Sequence, residues 1–81
     1  MSYSVYIVEC SDNTLYTGIA VDVEKRIDEH NNSPKGAKYT KTRRPVTLRY
    51  TENFENRSEA SKREYAIKKM SRKEKLSLIA A

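Results

Sequence analysis

The chain has 81 residues, with 16 Lys and Arg against 11 Asp and Glu (net charge +5), one cysteine and one histidine. That length makes one domain, with a small core and no interior to spare for a deep enclosed pocket, so an open site that a polymer can lie across is expected. A single cysteine and a single histidine exclude an internal disulfide and a Cys/His zinc site, and the short apolar runs exclude a leader peptide or membrane span, which makes a cytoplasmic setting the simplest expectation.

The positive balance suits nucleic acid, whose neutralised phosphates release counterions, and equally suits plain solubility. Residues 3–10 are apolar on both parities, Val5 and Ile7 on one and Tyr6, Val8 and Cys10 on the other. A strand apolar on both faces belongs in the middle of a sheet, with Cys10 as a packed thiol. Ser11, Asp12 and Asn13 form a polar turn, and residues 14–20 return as a second strand. Asp22 is a good N-cap for a helix over residues 23–31, with Val23, Ile27 and His30 on one face and Arg26 beside them. Asn31, Asn32, Ser33 and Pro34 end it. From Pro34 to Pro45 there is no apolar period.

Residues 46–51 alternate again and predict a third strand, with Val46, Leu48 and Tyr50 on one face. Asn56 or Ser58 caps a helix running to about Met70, and Ser71 with Glu74 has the form of a capping box opening a last helix that ends in Leu76, Leu78 and Ile79. The expected class is α+β, three strands with two to three flanking helices.

Several side chains in this frame suit chemistry on a phosphodiester. Arg26 and His30 are four apart, hence neighbours on the helix surface, and an arginine fork there could hold a phosphate; a solvated Arg beside a half-buried His is the plainer alternative. Glu64, four after Ala60, falls on the apolar side of its helix, where a carboxylate needs a partner. That partner is either Lys68 at i+4 or a hard cation such as Mg²⁺, completed by waters and substrate phosphate. Tyr6 and Tyr16 serve packing, or position a water if they share a face; because a free tyrosine has a pKa near 10, acting as a base requires help. A two-residue turn puts them on opposite faces, and an odd-length or bulged turn puts them together. The loop with Lys35, Lys38, Lys41, Arg43 and Arg44 has no acid and carries Tyr39 in its middle, which suits backbone tracking and base stacking.

Together these residues resemble the GIY-YIG nuclease family. Val5-Tyr6-Ile7 matches the first signature and Tyr16-Thr17-Gly18 the second; the family's catalytic arginine falls on Arg26, the position one turn later on His30, and the metal-binding glutamate on Glu64. Lys35-Gly36-Ala37-Lys38-Tyr39 through Arg43-Arg44-Pro45 and the segment from Ser58 to Ile79 resemble the small stand-alone members often named UPF0213. The resemblance covers almost the whole chain. Ile19 stands where some family nucleases carry lysine, and no asparagine follows Glu64. The resemblance implies a three-stranded antiparallel sheet with flanking helices. It also implies hydrolysis of DNA phosphodiesters, structure- or repair-related, with one Mg²⁺ or Mn²⁺. Tyr16 would orient or deprotonate the attacking water with Tyr6 in support, Arg26 would stabilise the phosphorane, His30 would assist the base or bind phosphate, and Glu64 would hold the metal. A protein partner supplying specificity is expected, since no recognition domain is appended. A nucleic-acid-binding module that kept the fold and lost turnover is the alternative.

Overall fold

The computed structural model describes residues 2–81. Strands β1 (Tyr3–Glu9), β2 (Leu15–Ala20) and β3 (Thr47–Phe54) form one antiparallel sheet in the order β2-β1-β3. The helices are α1 (Val23–Asn32), the single-turn α2 (Lys38–Lys41), α3 (Arg57–Lys68) and α4 (Arg72–Ala80). The central place of β1 follows from its double apolar parity: Val5, Tyr6, Ile7 and Val8 are all buried. No helix among the described residues is long and apolar enough to cross a membrane.

The sheet divides two cores. On one face Val5 and Ile7 pack with Ala60 and Ile67 of α3, joined by Leu78 and Ile79 of α4; on the other, Tyr6, Val8, Cys10 and Val46 pack with Tyr16, Val23 and Ile27 under α1. Cys10 is a free, buried thiol, pushed up in pKa by burial, as a packed cysteine should be.

Local chemistry sets the helix starts. Asp22 accepts from the Lys25 amide, Asn56 from the Glu59 amide, and Ser71 and Glu74 make both bonds of a capping box. One expectation is corrected. Ile7 pairs with Tyr50 and Val8 with Leu48, so a bulge at Arg49 sends Tyr50 to the α3 side while Leu48 stays on the Val8 side. Leu76 is left exposed, because the last helix turns Leu78 and Ile79 to the sheet instead.

Candidate active site

The hairpin turn decides the site. Cys10 N–H donates to Thr14 O and Asn13 N–H to Cys10 O, which leaves a three-residue turn of Ser11, Asp12 and Asn13. Asn13 adopts φ 68°, a left-handed conformation that asparagine tolerates, and Asp12 accepts from both the amide and the hydroxyl of Thr14. This odd-length turn pairs Tyr6 with Gly18 and Val8 with Tyr16, so both tyrosines lie on the α1 face.

Tyr6 and His30 meet in the interior. Tyr6 Oη lies 2.7 Å from His30 Nε2, and both side chains are essentially without exposure. Tyr16 packs its ring edge-to-face on the same imidazole, 5.5 Å between centroids. Gly18 makes room for this arrangement: a Cβ there would stand 2.5 Å from Tyr6 Oη. Burial pushes the Tyr6 hydroxyl up to about 12, against the pull of the adjacent Arg26 guanidinium and with smaller upward contributions from Tyr16 and Glu64. Burial, and then the charges of Arg26 and Arg44, hold His30 below its ordinary value, Glu29 opposing them, so the imidazole is neutral at pH 7.

Arg26 is tied to Glu29 Oε1 at 3.1 Å and to the Lys35 carbonyl at 3.0 Å. It borders an open cleft of about 420 Å³ shared with Ala20, Asp22 and Lys25. Glu64 comes from α3, on the other side of the sheet. It pairs with Lys68 Nζ at 3.3 Å and is close enough for its charge to be felt at Tyr6. No group of three or more His, Cys, Asp and Glu able to hold a metal occurs among the described residues. The donor set is therefore one carboxylate with a displaceable ammonium, which fits a hard cation that keeps waters and takes oxygens from substrate, and does not fit an all-protein cage.

The basic loop is more ordered than its composition suggests, and it is stitched to the end of α1. Arg44 turns inward and donates to the carbonyls of Glu29, His30 and Ser33, supplying partners to orphan carbonyls of the last helical turn. Asn31 exchanges two hydrogen bonds with the Val46 backbone. Tyr39 stacks with Tyr16, ring centroids 5.8 Å apart, has the Arg43 guanidinium 3.9 Å from its centroid, and still stays 38% exposed. Arg43 is further held by Asp12 and the Tyr39 carbonyl. Lys35, Lys38 and Lys41 stand exposed with no ion-pair partner among the described residues. Thus Tyr6, Tyr16, Arg26 and His30 come together, Glu64 pairs with Lys68 and reaches Tyr6 only through its charge, three lysines face solvent, Arg43 and Arg44 are engaged within the protein, and Tyr39 packs on Tyr16 while remaining exposed.

One participant was missed from sequence. Thr40 of α2 is fully buried, with Oγ1 2.8 Å from His30 Nδ1. A polar anchor leaves no apolar period; the available signal was Gly36, where a Cβ would meet the Glu29 carbonyl at 2.7 Å and which thereby lets the loop approach α1.

These features define a small sheet-based domain built around a Tyr–His pair and an arginine. The chain belongs to the GIY-YIG family: residues 2–77 match the model of the GIY-YIG catalytic domain, a family whose general activity is that of a nuclease. It is similar to a UPF0213 protein of Desulfotalea psychrophila, 58% identical over 80 residues, covering 99% of this chain and 73% of the relative. It is also similar to a UPF0213 protein of Staphylococcus saprophyticus, 62% identical over 76 residues, covering 94% and 92%. The solution NMR structures of a UPF0213 protein from Bacillus halodurans and of a protein from E. faecalis share the fold, with TM-scores of 0.63 and 0.68. Each is 45% identical to this chain and covers 99% of it and 84% of its own length.

Proposed function

We propose that this chain is an endonuclease that hydrolyses DNA phosphodiester bonds with one divalent cation, Mg²⁺ or Mn²⁺, in a structure- or repair-related setting. The observation that carries the proposal is the 2.7 Å Tyr6–His30 contact, with Tyr16 packed on the same imidazole and Arg26 beside it.

Arg26 presents its guanidinium to an open cleft, where it binds the scissile phosphate and offsets charge that accumulates on it. Tyr16, half-buried where Tyr6 is sealed in, orients the attacking water; Tyr6 and His30 fix the geometry behind it. Glu64 would hold the cation, whose positive charge would stabilise the phosphate oxygens as the bond breaks. Lys35, Lys38 and Lys41 contact flanking phosphates and contribute the salt-dependent part of binding. A free, buried Cys10 suits the cytoplasm, and specificity for a particular DNA structure comes from a protein partner.

The test is nicking of plasmid DNA with Mg²⁺ or Mn²⁺ by the wild type and by Glu64→Ala and Arg26→Ala variants. Cleavage is expected from the wild type only, and equal cleavage by all three would refute the assignment. The Glu64–Lys68 ion pair favours a second reading, a binding module without turnover. It predicts salt-dependent binding that survives Glu64→Ala and no cleavage even at stoichiometric protein.

A further inference from the structure

The net charge of +5 is not spread over the chain. Residues 1–56 hold eight Lys and Arg against eight Asp and Glu, whereas residues 57–81, which make α3 and α4, hold eight against three. Arg63 is tied to Glu52 and Lys68 to Glu64. Lys62, Lys69 and Lys73 stand exposed with no ion-pair partner among the described residues.

An excess of charge keeps a small domain soluble, but solubility does not call for an exposed aromatic ring. Tyr65 is 63% exposed, more than any other aromatic residue of the chain, and contributes to neither core. Lys62, three residues before it, and Lys69, four after it, share its stripe of α3. Lys69 Nζ stands 4.4 Å from the ring centroid. Where α3 gives way to α4, Arg72 and Lys75 share with Thr14 and Leu15 a cleft of about 210 Å³ that no acid lines. Arg72 donates to the Asn13 carbonyl, which holds it at the cleft. Lys75 is half-buried there, and burial, then the charge of Lys68, hold its ammonium below the usual lysine value. An anion at this mouth would relieve both effects.

We propose that the outer surface of α3 and α4 is a docking face for single-stranded DNA, with Tyr65 stacked on an unpaired base and Lys62, Lys69 and Lys73 following the phosphates. Stacking needs a base whose π-face is free, which a closed duplex does not offer, and the lysines beside the ring neutralise the backbone on either side of that base. The Arg72–Lys75 cleft takes a further phosphate. Because α3 covers the Val5 and Ile7 side of the sheet, while Tyr6, Tyr16 and α1 lie on the other, this face is additional to the cleft at Arg26. The proposal deepens the DNA reading above by naming the strand state that is bound, and it concerns binding alone.

The test is fluorescence anisotropy with a thymidine oligomer of about a dozen nucleotides and with a blunt duplex, in EDTA so that loss of cleavage cannot be mistaken for loss of this face. Tyr65→Ala is expected to weaken binding of the single strand by roughly 5- to 150-fold, the value of one stacked base, with Tyr65→Phe retaining the affinity and duplex binding unchanged. Neutralising Lys62, Lys69 and Lys73 to glutamine should flatten the salt dependence of single-strand binding by up to about two units of slope. All four side chains are exposed, and thermal unfolding confirms that each variant is folded. Single-strand binding unaltered in Tyr65→Ala, an equal loss on strand and duplex, or an unchanged salt slope would each overturn the proposal. Polyglutamate of equal charge displacing the protein as well as the oligomer does would assign the face to an acidic protein instead, and would overturn it too.

Discussion

Replacing Gly18 with alanine tests how tightly the site is closed. The added Cβ would lie 2.5 Å from Tyr6 Oη and 2.7 Å from Cζ, and ordinary contact begins at 3.4 Å, so the hydroxyl must retreat by about 0.9 Å (3.4 − 2.5). Tyr6 is 1% exposed, and its oxygen already sits 2.7 Å from His30 Nε2. A shift away from the imidazole breaks that bond; a shift toward it collides with a ring that Thr40 holds from behind. Overpacking costs about 1–3 kcal/mol and the stranded buried hydroxyl about 1–3 kcal/mol, which together give roughly 2–4 kcal/mol once partial relaxation is allowed. For a domain of this size that lowers Tm by roughly 10–25 °C. Misplacement of a catalytic group by about 1 Å also lowers nicking by roughly 100-fold. The assay is thermal unfolding followed by circular dichroism, with plasmid nicking on the same samples. The Gly18→Ala/Tyr6→Phe double variant, which lacks the 2.5 Å clash, should lose less than the sum of the single changes. A Gly18→Ala protein that melts within about 2 °C of wild type and nicks normally would refute the close-approach argument.

Three further predictions separate loop from site. His30 is held below its ordinary 6.5, so below that pH the unfolded chain binds more protons. Stability is therefore full above about 6.5 and falls as the pH is lowered through it; His30→Gln should lack this slope, and a wild-type Tm that rises on acidification below about 6.5 contradicts it. Arg44→Ala removes three carbonyl contacts at the end of α1 and should cost about 2–3 kcal/mol by urea unfolding, whereas the Lys35→Ala/Lys38→Ala/Lys41→Ala triple variant should leave the midpoint nearly unchanged. The same triple variant should flatten the salt dependence of DNA binding by up to about three units of slope, measured by fluorescence anisotropy across a salt series; an unaltered slope removes these lysines from the interface.

What could be read from sequence was what local chemistry determines. Asp22, Asn56 and the Ser71/Glu74 box cap their own helices through bonds made within four residues, and the double parity of β1 reports coverage on both faces. The antiparallel α+β fold and the family resemblance hold on this basis. The ion pair of Glu64 with Lys68 follows from their i,i+4 spacing and is present. Long-range partners were not legible. The Arg49 bulge depends on how β3 meets β1. The inward turn of Arg44 depends on carbonyls at the end of α1, and Thr40 has meaning only once His30 is opposite it. In composition the loop is a basic stretch; in space part of that charge is spent on holding the loop against its own helix, and the lysines are what remain for a ligand.

The three-residue turn at Ser11–Asn13 makes the site a matter of parity. Side chains in a strand alternate faces, so if this same sequence closed through a two-residue turn the register would slip by one and carry Tyr16 to the α3 side of the sheet, leaving the imidazole with Tyr6 alone. What the site depends on is the strand register that this turn fixes, although no residue of the turn itself hydrogen-bonds to the Tyr6–His30 pair.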